Sequence, residues 1–401
     1  MLKKTVCELF AGVGGFRLGL EAASKEWKTV WFSQWEPGKK VQWAHDCYVR
    51  HFGDVNSDTG IDIACVDKST IPDHNLLVGG FPCQDYSVAR SLYGEKGIEG
   101  KKGVLWWQIR DTLIAKNAPF VLLENVDRLL KSPSKQRGRD FGIILACLDA
   151  LDYSVEWRVV NAAEYGGQQR RRRTYIFAYK NSAKYGITQK KKTAEDIMQK
   201  AGFFAKTFPI EVIKKFTECE IDSDDISDVS DNFKFAFENS GYMSKGKIIT
   251  AKTSPILELP IPLRSILEKS ADKKYFIDDK VMEKWVFLKG AKRIERKAKT
   301  GFSYTFSEGP IAFPDNLDSP ARTMLTSEGT LNRSTHVVKD IKSKKLRILT
   351  PVETERIQGF PDDWTNTGMP ERFRYFCMGN ALVVGMVERM GKTLNKIFAK
   401  E

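Results

Sequence analysis

A cysteine, a carboxylic acid and a cluster of arginines follow one another along the first half of the chain. Cys83 lies in GGFPCQ at residues 79–84, directly after an apolar run, Glu124 opens an ENV tripeptide, and four arginines occupy positions 170–173. A thiolate can act as a nucleophile, a carboxyl group as a proton donor, and guanidinium groups as anchors for a substrate oxygen. The set therefore predicts nucleophilic catalysis by Cys83, Glu124, Arg171 and Arg173.

Each of these signals has a plainer interpretation when it is taken alone. An isolated cysteine after a proline is usually a small buried residue, and Glu124 at the end of FVLLENV could form an ordinary salt bridge. The arginine run could be a solvated patch. It leads, however, into TYIFAYK, whose strand alternation predicts Arg171 and Arg173 on one face. The occurrence of all three signals in one chain favours an active site.

A glycine-rich turn, FAGVGG at residues 10–15, follows the first apolar run. Gly12 and Gly14 would begin a dinucleotide fingerprint, but its third glycine is replaced by Arg17, which disfavours NAD and FAD. Glu36 follows the second apolar run, where a carboxylate could accept hydrogen bonds from ribose hydroxyls. The pair predicts a nucleoside cofactor without a pyrophosphate, and the alternative for the turn is a tight strand-to-helix connection.

Composition restricts the class of protein. The 401 residues carry a net charge of +13, with 64 Lys and Arg against 51 Asp and Glu. This favours a polyanionic partner, although a merely solvated basic surface is an equal alternative. The seven cysteines form no CxxC pair and no metal-binding spacing, so neither a disulfide framework nor a metal site is expected. With no signal peptide and no membrane-spanning stretch, we expect a cytoplasmic protein without a membrane partner.

Apolar β-branched runs alternate with helical patterns from residue 5 to 180, which predicts a doubly wound α/β fold with a parallel sheet. Such sheets bind ligands beyond the carboxyl ends of their strands. A less regular region follows and contains an acidic stretch at 218–231 and a basic one at 289–299, which is as consistent with nucleic-acid contact as with solvent. The predicted domains are 1–185, 186–345 and a return segment, 346–401, whose amphipathic helix packs on the first domain.

The chain resembles the DNA (cytosine-5) methyltransferases of prokaryotic type over nearly its whole length. The motifs that carry the resemblance occur in family order: FAGVGG, PCQ, GVLW at 103–106, ENV, QxRxR, RILTPVETERIQGFP at 347–361 and GNALV at 379–383. The resemblance implies a Rossmann-like methyltransferase domain that uses S-adenosylmethionine and no metal, with a smaller target-recognition domain. It also implies that Cys83 adds to C6 of a flipped cytosine in duplex DNA before methylation at C5.

By this resemblance, specific residues are expected to bind each partner. Ala381 replaces a frequent serine of the family, and the order Trp35, Glu36, Pro37 also departs from the commoner pattern. The cofactor, and its product S-adenosylhomocysteine, would be held by Phe10, Ala11, Gly12, Gly14, Gly15, Glu36, Asp62, Ile63, Pro82, Leu105, Asn380 and Ala381. DNA would be contacted by Gln84, Ser87, Lys102, Thr323, Thr326 and Arg333.

The resemblance further implies a monomer in a prokaryotic cytoplasm, associated with the nucleoid. It would act in restriction-modification beside a cognate endonuclease for the same site, or in stand-alone methylation. Two alternatives stay open. Some relatives methylate a transfer RNA, and a catalytically silent DNA-binding protein would show the same basic composition. A variable segment of about 160 residues favours duplex DNA, because reading a major groove needs a dedicated module.

Overall fold

The computed structural model describes residues 1–54, 58–81, 105–297 and 301–401. Cys83 lies outside these ranges, as do Pro82, Gln84, Ser87 and Lys102. The elements around the predicted site lie before and after residues 82–104 in the sequence.

The first 180 residues alternate strands and helices, as the sequence pattern predicts. In chain order the elements are β1 (Thr5–Leu9), α1 (Gly15–Ala23), β2 (Lys28–Ser33), α2 (Trp43–Phe52), β3 (Leu76–Gly80), α3 (Leu105–Lys116), β4 (Phe120–Val126), α4 (Arg139–Ala150), β5 (Tyr153–Asn161) and β6 (Arg172–Lys180).

Shorter elements follow, and the last three elements are helices. They are α5 (Lys184–Gln189), α6 (Ala194–Asp196), α7 (Phe203–Thr207), β7 (Ile210–Val212), β8 (Thr217–Glu220), α8 (Ile226–Asn232), β9 (Ser240–Ser244), β10 (Lys247–Ala251), β11 (Thr253–Pro255), α9 (Met282–Lys289), β12 (Lys292–Lys297), β13 (Ser303–Glu308), β14 (Val337–Lys339), β15 (Leu346–Ile348), α10 (Pro351–Gln358), α11 (Glu371–Asn380) and α12 (Val384–Phe398).

A nine-stranded sheet in the order β2-β1-β3-β4-β6-β5-β9-β10-β8 forms the centre of the molecule. The strands β2, β1, β3 and β4 are parallel, whereas β6 runs antiparallel to both β4 and β5. The sheet is therefore mixed, and the predicted parallel arrangement holds for β2, β1, β3 and β4 but not for β6 and β5. The link between β5 and β6 contains one short helical turn, whereas a parallel crossover needs a dozen or more residues. The α/β class itself is confirmed.

The sheet continues past the predicted domain boundary at residue 186. Strand β9 pairs with β5 through Val155↔Met243 and Trp157↔Gly241, and β10 and β8 extend the sheet further. The composition change near 185 thus does not mark the end of the sheet. Residues 256–345 follow these strands in the sequence and include the β12–β13 hairpin.

Both faces of the sheet are covered by helices. In β3, Leu77 faces one apolar cluster with α3 and α4, while Leu76 and Val78 face another with α1, α7 and α12. A third cluster joins α2 to α10 and α11. The last helix, α12, therefore packs on the first domain, and its first turn lies beside the carboxyl edge of the sheet.

Candidate active site

The predicted site lies at the carboxyl ends of β1, β3 and β4. The register pairs Gly80 of β3 with Glu124 of β4, and the Asn125 side-chain amide donates to the Phe81 carbonyl over 2.8 Å. Phe81 is buried, and its ring packs on Trp106 with 6.0 Å between the centroids. The structure thus fixes the chain beside Glu124 at the last described residue before the PCQ motif.

Glu124 and Arg173 form an ion pair at this edge. The Arg173 Nε lies 2.8 Å from Glu124 Oε1, and the two side chains are only 16% and 12% exposed. The sheet brings the two side chains together. Strands β4 and β6 are antiparallel neighbours in which Arg173 lies opposite Val126, and Val126 is two residues after Glu124 in β4. Such a pair can orient a carboxyl group toward a ligand and hold it there.

Arg171 lies just before β6, and its guanidinium contacts backbone. It donates to the carbonyls of Met324 (3.1 Å), Gly379 (3.0 Å) and Asn380 (3.4 Å). Burial, followed by the nearby Arg173 charge, lowers the pKa of Arg171 to about 9. Arg171 therefore joins the segment before α12 to the segment around residue 324, and the structure does not place it toward a substrate oxygen.

The segment before β6 is bound to residues 321–324. Gln169 Oε1 accepts the Met324 N–H over 3.0 Å, and the Arg170 N–H donates to the Ala321 carbonyl over 2.8 Å. The Thr323 hydroxyl donates to the Arg170 carbonyl. The distant stretch ARTMLT is thereby placed next to the arginine motif.

A cavity of about 200 Å³ opens between the glycine turn, Glu124 and the segment before α12. Gly14 is not among its lining residues: it has a φ of 88° at the start of α1, and a Cβ there would lie 2.4 Å from the Phe52 ring, so it serves close packing. The predicted residues that do line the cavity are Phe10, Ala11, Gly12, Gly15, Glu36, Asn380 and Ala381.

The cavity has features that suit a nucleoside. Gly12 donates its N–H to Gln34 Oε1 over 2.7 Å, which fixes the turn. Burial raises the pKa of Glu36, and Lys39 opposes this effect. Within the described part of the chain the buried Glu36 Oε2 has no hydrogen-bond partner. An unpaired buried acceptor calls for a donor, and ribose hydroxyls supply two.

Three predicted cofactor residues lie elsewhere in the structure. The Asp62 carboxylate accepts the Ala64 N–H over 3.0 Å at the start of a short helical turn. Ile63 is buried in the cluster formed with α3 and α4, and Leu105 packs against that cluster. None of the three lines the cavity. Sequence reasoning missed Gln34, Phe360 and Phe376, which do line it; of these, only Phe360 falls within a quoted motif.

The predicted DNA contacts are largely engaged within the protein. Arg333 donates to the carbonyls of Leu288 (3.0 Å), Gly290 (3.2 Å) and Gly309, and pairs with Glu308 at 3.4 Å. Its guanidinium thus attaches its own loop to the base of the β12–β13 hairpin. The Thr326 carbonyl accepts from Arg372 over 3.1 Å. Gln84, Ser87 and Lys102 lie outside the described residues.

The β12–β13 hairpin is exposed on both faces. One face carries Ile294, Arg296, Tyr304 and Phe306, with the Arg296 guanidinium 3.9 Å from the Phe306 ring centroid. The other face carries only polar side chains, and none of them has a side-chain partner among the described residues. These are Arg293, Glu295, Lys297, Ser303, Thr305 and Ser307.

Some features are absent from the parts of the chain that the structure describes. There, no three His, Cys, Asp or Glu side chains are grouped so that they could hold a metal ion. The six cysteines within the same parts are all free thiols. No helix within them is long and apolar enough to cross a membrane.

Comparison with known proteins identifies the family of this chain. The family model of C-5 cytosine-specific DNA methylase matches residues 4–396. The chain is 48% identical to type II methyltransferase M.Sau3AI of Staphylococcus aureus, over 99% of this chain and 97% of that protein. It is 28% identical to type II methyltransferase M1.ScrFI of Lactococcus lactis subsp. cremoris, over 99% of this chain and 79% of that protein.

A solved structure shows the same fold. The S. pombe Dnmt2 methyltransferase superposes with a TM-score of 0.58 at 16% identity, covering 100% of this chain and 99% of that one. The family match extends over nearly all residues of the chain. This chain belongs to the family of C-5 cytosine-specific DNA methylases and is a DNA cytosine-5 methyltransferase.

Proposed function

We propose that this protein transfers a methyl group from S-adenosylmethionine to C5 of a cytosine that is flipped out of duplex DNA. The observation that carries the proposal is the Glu124–Arg173 pair, because its Glu124 lines one cavity together with the glycine turn. Cys83 lies outside the described residues and follows Phe81 by two positions in the sequence. Phe81 itself is held beside Glu124 through the Asn125 amide.

The cavity residues would hold S-adenosylmethionine. Glu36 would accept hydrogen bonds from the ribose hydroxyls through its unpaired oxygen, and Gly12 and Gly15 would admit the ligand close to the backbone. When bound, the cofactor supplies an electrophilic methyl group. Because Arg171 holds the carbonyls of Gly379 and Asn380, it would keep the Asn380 wall of the cavity in place.

Cys83 would attack C6 of the cytosine as a thiolate, which makes C5 nucleophilic. Glu124 would donate a proton to N3 and bind the exocyclic amine, and so would stabilise the enamine that forms. Arg173 would hold the Glu124 carboxyl group through their 2.8 Å contact and face the base oxygen. After methylation at C5, loss of the C5 proton would let the thiolate leave.

The base must leave the duplex to reach these groups, at a cost of a few kcal/mol. Contacts elsewhere must offset that cost, and we propose that residues 256–345, within the predicted target-recognition segment, supply them. An isolated two-stranded hairpin is marginally stable in water, and the polar face of β12–β13 has no partner within the described chain. A major groove admits a two-stranded ribbon, so this face is our candidate DNA-reading surface.

The relatives also suggest the biological setting. Because M.Sau3AI and M1.ScrFI are named type II methyltransferases, we propose that this protein acts in restriction-modification beside an endonuclease for the same site. We propose that it works as a monomer in a bacterial cytoplasm, associated with the nucleoid. Light scattering of the purified protein tests the monomer, because a stable dimer would double the measured mass.

Labelled methyl transfer to two polymers tests the proposed substrate. The protein is incubated with labelled S-adenosylmethionine and either mixed-sequence duplex DNA or total RNA. We expect 5-methylcytosine in the DNA, and bisulfite sequencing of plasmid from an expressing host then identifies the methylated site. Labelling of RNA in place of DNA would favour the transfer-RNA alternative, and DNA binding without transfer would favour the catalytically silent one.

A further inference from the structure

A second cavity lies at the opposite end of the catalytic domain. It has a volume of about 730 Å³ and lies between α5, α7 and the last turns of α12. The helix α12 begins beside the cofactor cavity, which Asn380, Ala381 and Leu382 line, and runs for 15 residues. At 1.5 Å per residue it is about 22 Å long, so the second cavity is remote from Glu124.

Five lysines line this cavity, and they come from three separate segments of the chain. They are Lys184, Lys192, Lys206, Lys396 and Lys400. Glu401 is the one acidic residue in the lining: its carboxylate accepts the backbone N–H groups of Lys184 (3.0 Å) and Tyr185 (2.6 Å). The lining is therefore strongly cationic.

Four of the five ammonium groups have no partner within the described parts of the chain. Only Lys184 has one, since its Nζ donates to the Glu401 carbonyl oxygen over 2.6 Å. By contrast, the nearby Lys392, which does not line the cavity, pairs with Glu388 at 2.6 Å. Burial, followed by the charges of Lys192, Lys400 and Lys396, lowers the pKa of Lys206, and Glu156 opposes this effect. The lysine charges are thus close enough to repel one another.

Like charges brought close together repel one another, and an anion bound between them would offset this repulsion. A second unpaired group lines the same cavity: Gln189 is 1% exposed, and its Oε1 has no hydrogen-bond partner among the described residues. Phe203 and Tyr185 form part of the apolar wall. The volume is in the range of small-molecule sites, and a convex duplex backbone does not fit inside a concave pocket.

We propose that this lysine cavity binds a small polyphosphate anion, either an inorganic chain or the phosphates of a nucleoside polyphosphate. The phosphate oxygens would lie among the lysine ammonium groups. In the nucleoside case, the Gln189 amide and the aromatic wall would contact the base or sugar. The site is separate from both the cofactor cavity and the proposed DNA surface.

Calorimetric titration of the full chain with tripolyphosphate, and separately with ATP, tests this proposal. The titrations are done near physiological salt and with excess S-adenosylhomocysteine, which keeps ATP out of the cofactor cavity. We expect saturable binding of at least one anion. Equal affinities would indicate the phosphate chain alone, whereas tighter binding of ATP would indicate a nucleoside polyphosphate.

A matched pair of variants assigns the binding to the cavity. Lys206→Gln with Lys396→Gln removes two of the exposed lining charges, and each lost charged hydrogen bond should weaken binding by roughly tenfold or more. The control, Lys25→Gln with Lys28→Gln, makes the same charge change at exposed positions that do not line the cavity, and should bind like wild type. Both should methylate at the wild-type rate.

Three results would overturn the proposal. They are no saturable binding of either anion to wild type, equal weakening in the lining variant and its control, and competition that only a duplex oligonucleotide can produce. The last would reassign the lysines to a second DNA-binding surface.

Discussion

Charged side chains at the carboxyl edge of the sheet are paired within the protein, whereas those on the polar face of the β12–β13 hairpin have no partner within the described chain. At the edge, Arg171 donates to three carbonyls and Arg173 pairs with Glu124. On the polar face of the hairpin, Arg293 and Lys297 have no partner within the described chain. Chemistry needs charged groups in one fixed geometry, whereas an unpaired charge on a ribbon is free to meet a phosphate. Mutations in the two regions should therefore have different effects.

The largest effect is expected from the fixed carboxyl group. Glu124→Gln removes the proton donor but keeps a side chain of similar shape beside Arg173, so kcat should fall by roughly 10² to 10⁴ fold while DNA binding is retained. The control is Asp127→Asn, since Asp127 is an exposed carboxylate that pairs with Arg172 at 3.3 Å. Steady-state methylation kinetics measure both variants. Equal rates in Glu124→Gln and wild type would remove Glu124 from the mechanism.

The second largest effect is expected on the free energy of unfolding, when the buried guanidinium of Arg171 is removed. Arg171→Met leaves three carbonyl oxygens without their donor, so the free energy of unfolding should fall by about 3 kcal/mol or more. The neighbouring Arg172 is exposed, and Arg172→Met serves as the control with little expected change. Denaturant unfolding measures the difference. If the two variants were equally stable, Arg171 would not join the segments as described.

A buried carboxylic acid behind the glycine turn should make stability depend on pH. Glu8 is fully buried and accepts the Tyr48 hydroxyl over 2.9 Å, and burial raises its pKa to about 7, against the opposing effects of Tyr48 and Arg17. Between pH 4.5 and about 7 the folded state keeps this proton and the unfolded state loses it. The free energy of unfolding therefore falls as the pH rises through this window.

Glu8→Gln lacks that titration. Relative to wild type, the variant should gain roughly 2 to 3 kcal/mol between pH 5 and pH 8. Glu26→Gln changes an exposed carboxylate that pairs with Lys4, and it serves as the control. Urea unfolding at the two pH values measures the gain. A gain that stays constant with pH would show that Glu8 does not titrate in this range.

The smallest free-energy change is expected in the hairpin, and only when DNA is present. Arg293→Gln with Lys297→Gln should weaken duplex binding by roughly tenfold and reduce its salt dependence, because two phosphate contacts are lost. Thermal stability should not change, since neither residue has an internal partner within the described structure.

The hairpin control replaces exposed lysines elsewhere on the surface. Lys234→Gln with Lys247→Gln makes the same charge change near the last strands of the sheet. Fluorescence anisotropy at several salt concentrations compares the two double variants. If both lost DNA affinity to the same extent, the hairpin would carry no special role.

The sequence predicted the elements whose signal is local. Strands β1 to β6 are short apolar runs bounded by turns. The motifs at the ends of β1, β3 and β4 meet at one edge because these strands are parallel, and the arginine motif reaches the same edge because the antiparallel β6 begins there. The placement of Arg171 and Arg173 on one face stays a prediction from alternation, because β6 begins only at Arg172. These features depend on residues that lie close together in the chain.

Features that depend on distant residues could not be predicted in this way. The partners of Arg171 are the backbone carbonyls of residues 324, 379 and 380. Every residue has a backbone carbonyl, so no sequence pattern identifies these three. The addition of β9 to β5 was missed because an irregular, charged stretch separates these strands. The lysine cavity joins residue 184 to residue 400, and only the fold brings them together.

Covalent trapping tests the central claim, that Cys83 bonds to the ring it helps to methylate. Duplex DNA with 5-fluorocytosine at the target is incubated with the protein and S-adenosylmethionine, and the products are separated under denaturing conditions. Fluorine at C5 removes the proton whose loss releases the enzyme. Wild type should therefore remain attached to the DNA, and Cys83→Ser should bind without attachment. A wild-type protein that methylates ordinary cytosine but never becomes attached would contradict the account.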